Sequence, residues 1–164
     1  MVTAAYWFTM TQSLLDELPF SKSENIDGIL GLSYALHHMA AFLLMSEVGD
    51  LHRAIGDKSA EWYVRAAQSD RGVYPQKRWE EEKPADELAV QQFQPTIFIY
   101  DNYPGGIGLS EELFLKHEML LNSTLKLIGR CACQEGCPAC VGAPAEVGQK
   151  AKVVAIELLR LLLR

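Results

Sequence analysis

The sequence predicts an α+β domain: a small sheet packed on several helices, with a knuckle of four clustered cysteines. Three observations carry this. Two segments rich in aromatic and β-branched residues, AAYWFTM at 4–10 and TIFIY at 96–100, read as strands. Longer segments show helical character, above all 28–47, which is apolar almost all round and belongs at the centre of a fold. All the cysteines of the chain, Cys131, Cys133, Cys137 and Cys140, fall within ten residues. With 164 residues and 49% hydrophobic content, one domain spanning 1–164 can bury a core.

The elements follow in order. After the first strand, 11–18 reads as a short helix stopped by Pro19. The polar stretch 21–27 offers Ser23, Asn25 and Asp27 as N-caps for the long helix, with Gly49 and Asp50 as its end. Residues 56–92 change character: charges, Gly72, Pro75, the acidic run 80–82 and Pro84 interrupt any long pattern. This reads as a surface insertion or a pair of short helices. Its Trp62, Tyr63, Tyr74 and Trp79 either pin a long loop to the core or form a partner surface. The second strand then runs into Asp101-Asn-Tyr-Pro104-Gly105-Gly106-Ile-Gly108-Leu109. Ser110, Glu111 and Glu112 look like a helix start, a capping hydroxyl followed by acids at the positive end of the dipole. That helix is expected over 111–128, with Gly129 past its end. A last helix covers 146–164, with apolar positions at Val147, Ala151, Val154, Leu158, Leu161 and Leu162.

Net charge is −6, which excludes a strongly basic nucleic-acid-binding surface overall. The charge is uneven: residues 1–112 carry 8 basic and 17 acidic side chains, residues 113–164 carry 7 and 4. A phosphate contact is therefore to be sought first in the cysteine-bearing third. The apolar run 28–45 contains His37, His38, Ser33 and Gly31, and reads as a buried helix rather than a membrane span.

The cysteine spacing is C-x-C-x3-C-x2-C. Two close pairs let four sulfurs converge on one tetrahedral ion, and Gly136 and Pro138 suit the tight turn that aims the second pair. A closed four-thiolate site is a common home of structural zinc, so zinc is the leading reading. An iron–sulfur cluster also uses four thiolates, though usually at other spacings. Disulfides between such near neighbours would close very small loops. The N-terminus does not read as a signal peptide, which points to a reducing compartment. A four-thiolate zinc has no open position, so it holds the fold rather than performs chemistry. Lys126 and Arg130 precede the cluster and are candidates to offset its negative charge.

The strand–glycine loop–helix order invites comparison with a phosphate-binding loop. The pattern G-x-x-x-x-G-K-[ST] is absent, and Glu111 stands where a dinucleotide fingerprint needs glycine. The stretches 56–59 (GDKS) and 86–89 (DELA) do not make nucleotide motifs either. Asp101, Pro104, Gly105, Gly106 and Gly108 are thus expected to form a structural turn or a backbone-contact loop. His37 and His38 are adjacent, so they do not share a helix face, and His52 and His117 look isolated. Asp50 with Asp101 makes only a faint carboxylate pair, for which turn capping is the plainer account.

Three stretches together, IFIYDNYPGGIGLSEELF (97–114), CACQEGCPACVG (131–142) and MSEVGDL (45–51), resemble the zinc-binding domain at the C-terminus of MrfA-type helicases, superfamily 2 DEAD/DEAH-box proteins of DNA repair. The resemblance covers most of the chain and is weakest over 56–92. It implies that Cys131, Cys133, Cys137 and Cys140 are ligands of one structural Zn²⁺. It further implies partnership with helicase motor domains, in cis or in trans, and with single-stranded DNA, in the cytoplasm and without a membrane. ATP belongs to the motor that the family's helicases carry, and this chain shows no motor motif. The expected function is a non-catalytic accessory module that helps position motor or DNA. The alternatives are a protein–protein adaptor using Trp62, Tyr63 and Trp79, or a self-sufficient nucleotide- or metal-dependent enzyme using the 101–109 loop.

Overall fold

The computed structural model describes residues 1–57, 63–65 and 94–164. Strand β1 (Ala5–Thr9) is followed by helices α1 (Gln12–Asp16) and α2 (Lys22–Leu44), then strands β2 (Leu51–Asp57), β3 (Tyr63–Arg65) and β4 (Pro95–Asp101). Helices α3 (Leu109–Leu115), α4 (His117–Arg130), α5 (Pro144–Val147) and α6 (Ala151–Leu162) complete the order. The strands form one antiparallel sheet ordered β1-β4-β2-β3. Tyr6, Leu51, Ile55, Ile97 and Ile99 point from one face of it into the core beneath the helices. The α+β architecture is the one expected, and the two strands legible in the sequence pair directly, Ala5 opposite Tyr100 through Thr9 opposite Thr96.

Helix α2 is the hub, packed against α3, α4, α6 and the sheet. It begins earlier than expected. Ser21 is its N-cap, and Ser21 with Glu24 makes a capping box: the Glu24 N–H donates to Ser21 Oγ at 3.2 Å, and the Ser21 N–H donates to Glu24 Oε2 at 2.8 Å. It also ends earlier, at Met45 in the left-handed region (φ 52°), while Gly49 and Asp50 belong to the short turn Val48–Asp50 that leads into β2. The helix expected over 111–128 is two helices, broken at Lys116 (φ −100°, ψ 18°). Gly129 lies inside the second of them and does not terminate it. The last helix is likewise split, with Gly148 at φ 93° turning the chain between α5 and α6.

The expected insertion at 56–92 is described only at Gly56, Asp57 and β3; its remainder, with Trp62, Tyr74, Trp79 and 86–89, lies outside the described residues, as does the side chain of Tyr63. Gly56 and Asp57 themselves continue β2, so the pattern break at 56 is not the end of the strand.

The close approach of α6 to α2 depends on glycine. A Cβ at Gly28 would lie 2.1 Å from Val154 Cγ1, and one at Gly31 would lie 3.0 Å from the Ala151 Cβ. Gly→Ala within a helix ordinarily stabilises by about 1 kcal/mol. Gly28→Ala is expected to do the opposite and destabilise the domain by about 1–3 kcal/mol, the usual cost of overpacking, because a branched side chain anchored on its own helix cannot swing away. Urea unfolding of the two proteins measures it, and a Gly28→Ala protein at or above wild-type stability would refute the tight contact.

His37 is buried on α2, and its Nε2 donates to the Leu51 carbonyl at 2.9 Å, joining helix to sheet. A carbonyl only accepts, so Nε2 carries the proton. Burial lowers its pKa from the ordinary 6.5 to about 4. The fold therefore favours the neutral ring. Its contribution is complete above pH ~6.5 and is lost as pH falls toward 4, up to ~3 kcal/mol over that window. His37→Gln keeps a donor but does not titrate. Urea midpoints at pH 7 and about pH 4.5 should thus differ less in the variant than in the wild type; equal acid slopes would remove His37 from the account.

Candidate metal centre

The four cysteines lie between α4 and α5, on a loop whose course is set by backbone bonds. The Cys137 carbonyl accepts from the N–H groups of Cys140 at 2.9 Å and Gly142 at 3.0 Å, closing the second pair into a tight turn. Gly136 (φ 135°) has no room for a side chain, since a Cβ there would sit 2.6 Å from Val141 Cγ2. The turn is fixed to the hub helix: the Tyr34 hydroxyl donates to the Pro138 carbonyl at 2.7 Å, and Val141 is fully buried. This is why the sulfurs converge. The second pair comes from a local turn, the first from extended chain leaving α4, and the core holds the turn in place beside the first pair.

All four sulfurs lie within 4.8 Å of one another. The edges Cys131–Cys133, Cys131–Cys137 and Cys133–Cys140 measure 3.5 Å, and Cys137–Cys140 measures 3.7 Å. Four sulfurs at the zinc–sulfur bond length around a tetrahedron stand about 3.8 Å apart, whereas a disulfide brings two of them to about 2.0 Å. All four cysteines are free. The donor set thus fits one tetrahedral thiophilic ion. The thiols differ before any ion binds. Cys131 is lowered to about 7, first by the Cys133 backbone N–H and then by the neighbouring thiols. Burial pushes Cys140 up to about 12.

The cation beside the cluster is not one that sequence spacing suggests. Lys126 and Arg130 are exposed on α4. Lys152, at the start of α6, is buried, with its Nζ donating to the Cys131 carbonyl at 2.7 Å and to the Cys133 carbonyl, and lying 3.5 Å from Cys133 Sγ. A signal did exist: Lys152 shares the helical stripe of Ala155 and Leu159, a lysine in an apolar row.

The glycine loop sits apart from the cluster and is organised by Asp101. Its Oδ2 accepts from the N–H groups of Ile107 at 2.7 Å and Leu109 at 3.2 Å; its Oδ1 accepts from the Ser110 N–H at 2.9 Å and the Ser110 hydroxyl at 2.5 Å. Burial pushes the carboxyl pKa up, but these hydrogen bonds outweigh it and hold the group below its ordinary value. Gly105, Gly106 and Gly108 have φ of 84°, 80° and 90°, and Pro104 is exposed. The N–H groups of Gly105 and Gly106 donate to Val2 and Tyr103 carbonyls. The amides a phosphate would need at 107, 109 and 110 are thus already bonded to a carboxylate. Ser110 is not the N-cap expected of it; Gly108 holds that position, and Asp101 caps α3 from the preceding strand.

The remaining candidates separate. Asp50 accepts from the Glu47 N–H at 3.0 Å and the Tyr103 hydroxyl at 2.6 Å, a turn cap rather than a partner of Asp101. His38 packs on Tyr34, ring centroids 4.4 Å apart. His117 is not isolated: its Nδ1 is 2.6 Å from the Tyr6 hydroxyl. Burial raises the Tyr6 pKa, so the phenol keeps its proton. No helix among the described residues is long and apolar enough to cross a membrane.

Comparison with known proteins finds a family model, a curated relative and solved structures that resemble this chain. The family model of the MrfA Zn-binding domain matches residues 32–141, a span that contains all four cysteines. The uncharacterized ATP-dependent helicase YprA of Bacillus subtilis is 32% identical over 131 residues, covering 80% of this chain but 13% of the helicase. The crystal structure of the DUF1998 helicase MrfA bound to DNA superposes with a TM-score of 0.62 at 29% identity, over 89% of this chain and 15% of that one. A second crystal structure of it, bound to DNA and AMPPNP, gives 0.58 at 28% identity, over 96% of this chain and 15% of that one.

Proposed function

The chain belongs to the MrfA Zn-binding domain family, and from that premise we propose that it is one domain, 1–164, acting as a non-catalytic, zinc-holding accessory module of an ATP-dependent DNA helicase. Cys131, Cys133, Cys137 and Cys140 are the ligands of one Zn²⁺. The motor is of the DEAD/DEAH-box type, in the same or another chain, and it binds the ATP. The module supports the position of the motor or of single-stranded DNA during repair, in the cytoplasm. Asp101, Pro104, Gly105, Gly106 and Gly108 form a structural loop.

The observation that carries this is the closed sulfur array. Four sulfurs within 4.8 Å use every position of a tetrahedral ion. Such an ion fastens α4 to α6 and α2 and leaves nothing to activate a water or a substrate. The same observation favours an accessory role over a self-sufficient metalloenzyme. The internally bonded amides of the 101–109 loop speak against a nucleotide site there.

A fusion tests the function. YprA lacking the region that matches this chain is joined to it and assayed for ATP-driven strand separation. Restored unwinding, lost again when the cysteines are replaced, supports the reading. ATP hydrolysis by the isolated chain, or a folded zinc-loaded fusion without unwinding, refutes it.

A further inference from the structure

We propose that Lys152 is a positioning residue of the metal centre: from the buried start of α6 it ties the first cysteine pair to the core and donates to the Cys133 sulfur, slowing metal release. This rests on the reading of the four cysteines as zinc ligands.

Lysine is almost never buried without partners, and Lys152 is 8% exposed. An ammonium has three donors. Here the carbonyls of Cys131 and Cys133 and the sulfur of Cys133 supply three acceptors. Four thiolates around Zn²⁺ leave a net charge of about −2. A cation inside the fold offsets it where solvent screens least. Exposed Lys126 and Arg130 act through water and contribute far less.

Placement matters as much as charge. Lys152 is flanked by Ala151, Val154 and Ala155, all fully buried. The position of its ammonium is therefore set by the packing of α6 on α2, not by the cysteine loop. The loop from 131 to 133 meets a preset anchor, which lowers the ordering cost of the ligands. An N–H donor on a thiolate also draws charge from the sulfur, which lowers its reactivity toward the electrophiles that would detach it from the metal.

The test uses the zinc-loaded full chain, with Lys152→Met removing charge and donors at similar length. Zinc transfer to a chromogenic chelator should quicken by about 10- to 100-fold, the usual scale for an outer-shell partner. In the cobalt-substituted proteins the sulfur-to-metal charge-transfer band should move to lower energy, because the Cys133 sulfur loses its hydrogen bond. A purely packing role would leave that band in place. A folded, metal-loaded Lys152→Met protein with unchanged transfer rate and band overturns the proposal. Should Lys152→Met not fold, the wild type decides. A ¹⁵N-lysine ammonium signal protected from exchange at neutral pH, with a cross-peak to the Cys133 β protons, supports the proposal, and its absence overturns it. A wild-type protein that holds no zinc overturns the ligand reading as well, which separates the two failures.

Discussion

Cys137→Ser should yield a chain that no longer retains zinc and in which much of 111–164 is unfolded. Cys137 is the pivot of the cluster. Its sulfur stands 3.5 Å from that of Cys131 and 3.7 Å from that of Cys140, and its carbonyl receives the N–H groups that close the second turn. A serine hydroxyl is a poor ligand for a thiophilic ion, so three thiolates remain. Structural zinc contributes an apparent ~10–16 kcal/mol to small domains. Whole domains are stable by only about 5–15 kcal/mol. Losing even a third of the metal term, about 3–5 kcal/mol, thus consumes a large part of the margin, and most of it for a domain at the lower end of that range. The melting temperature should fall by well over ~10 °C, and the wild type treated with chelator should melt like the variant. Native thermal stability in Cys137→Ser would show that the ion does not hold this fold.

Asp101→Ala should be the most damaging change away from the cysteines. The side chain is fully buried and accepts four hydrogen bonds, two on each oxygen. Its removal strands donors at the start of α3, each unsatisfied group costing about 1–3 kcal/mol. Partial rescue by water leaves an expected loss of about 4 kcal/mol, together with faster amide exchange at Leu109 and Ser110. The informative control is Asp101→Asn. Whichever way the amide is turned, its NH₂ faces two donors, so asparagine should restore little. Urea denaturation of the three proteins distinguishes these outcomes, and an Asp101→Asn protein of wild-type stability would show that charge and double acceptance are not what the loop requires. The carboxylate's contribution is present above its unfolded pKa of about 3.8–3.9 and is lost as pH falls through its lower folded value.

These residues show what could be read from the chain and what could not. Strands β1 and β4 announce themselves by aromatic and β-branched residues. Strand β2 does not: Leu51, Ala54 and Ile55 are buried, but His52, Arg53, Gly56 and Asp57 disguise them. It is a strand because seven residues, Leu51 to Asp57, pair with β4. The capping box at Ser21 and Glu24 was written in the sequence, yet the polar run after it offered equally good caps. The break at Lys116 had no glycine or proline to mark it. Asp101 was visible as a turn residue, but not as the cap of a helix that starts eight positions later.

By itself, the sequence determined the α+β class, the buried hub helix and the cysteine set that converges, because each depends on residues within a few turns of one another. The tertiary structure alone decided that β2 completes the sheet, that Gly28 admits α6 against the hub, and that Lys152 rather than Lys126 or Arg130 reaches the sulfurs. Spacing along a chain fixes which neighbours share a turn. Which distant side chain ends up 3.5 Å from a sulfur is settled only when the helices pack and the core chooses their distance.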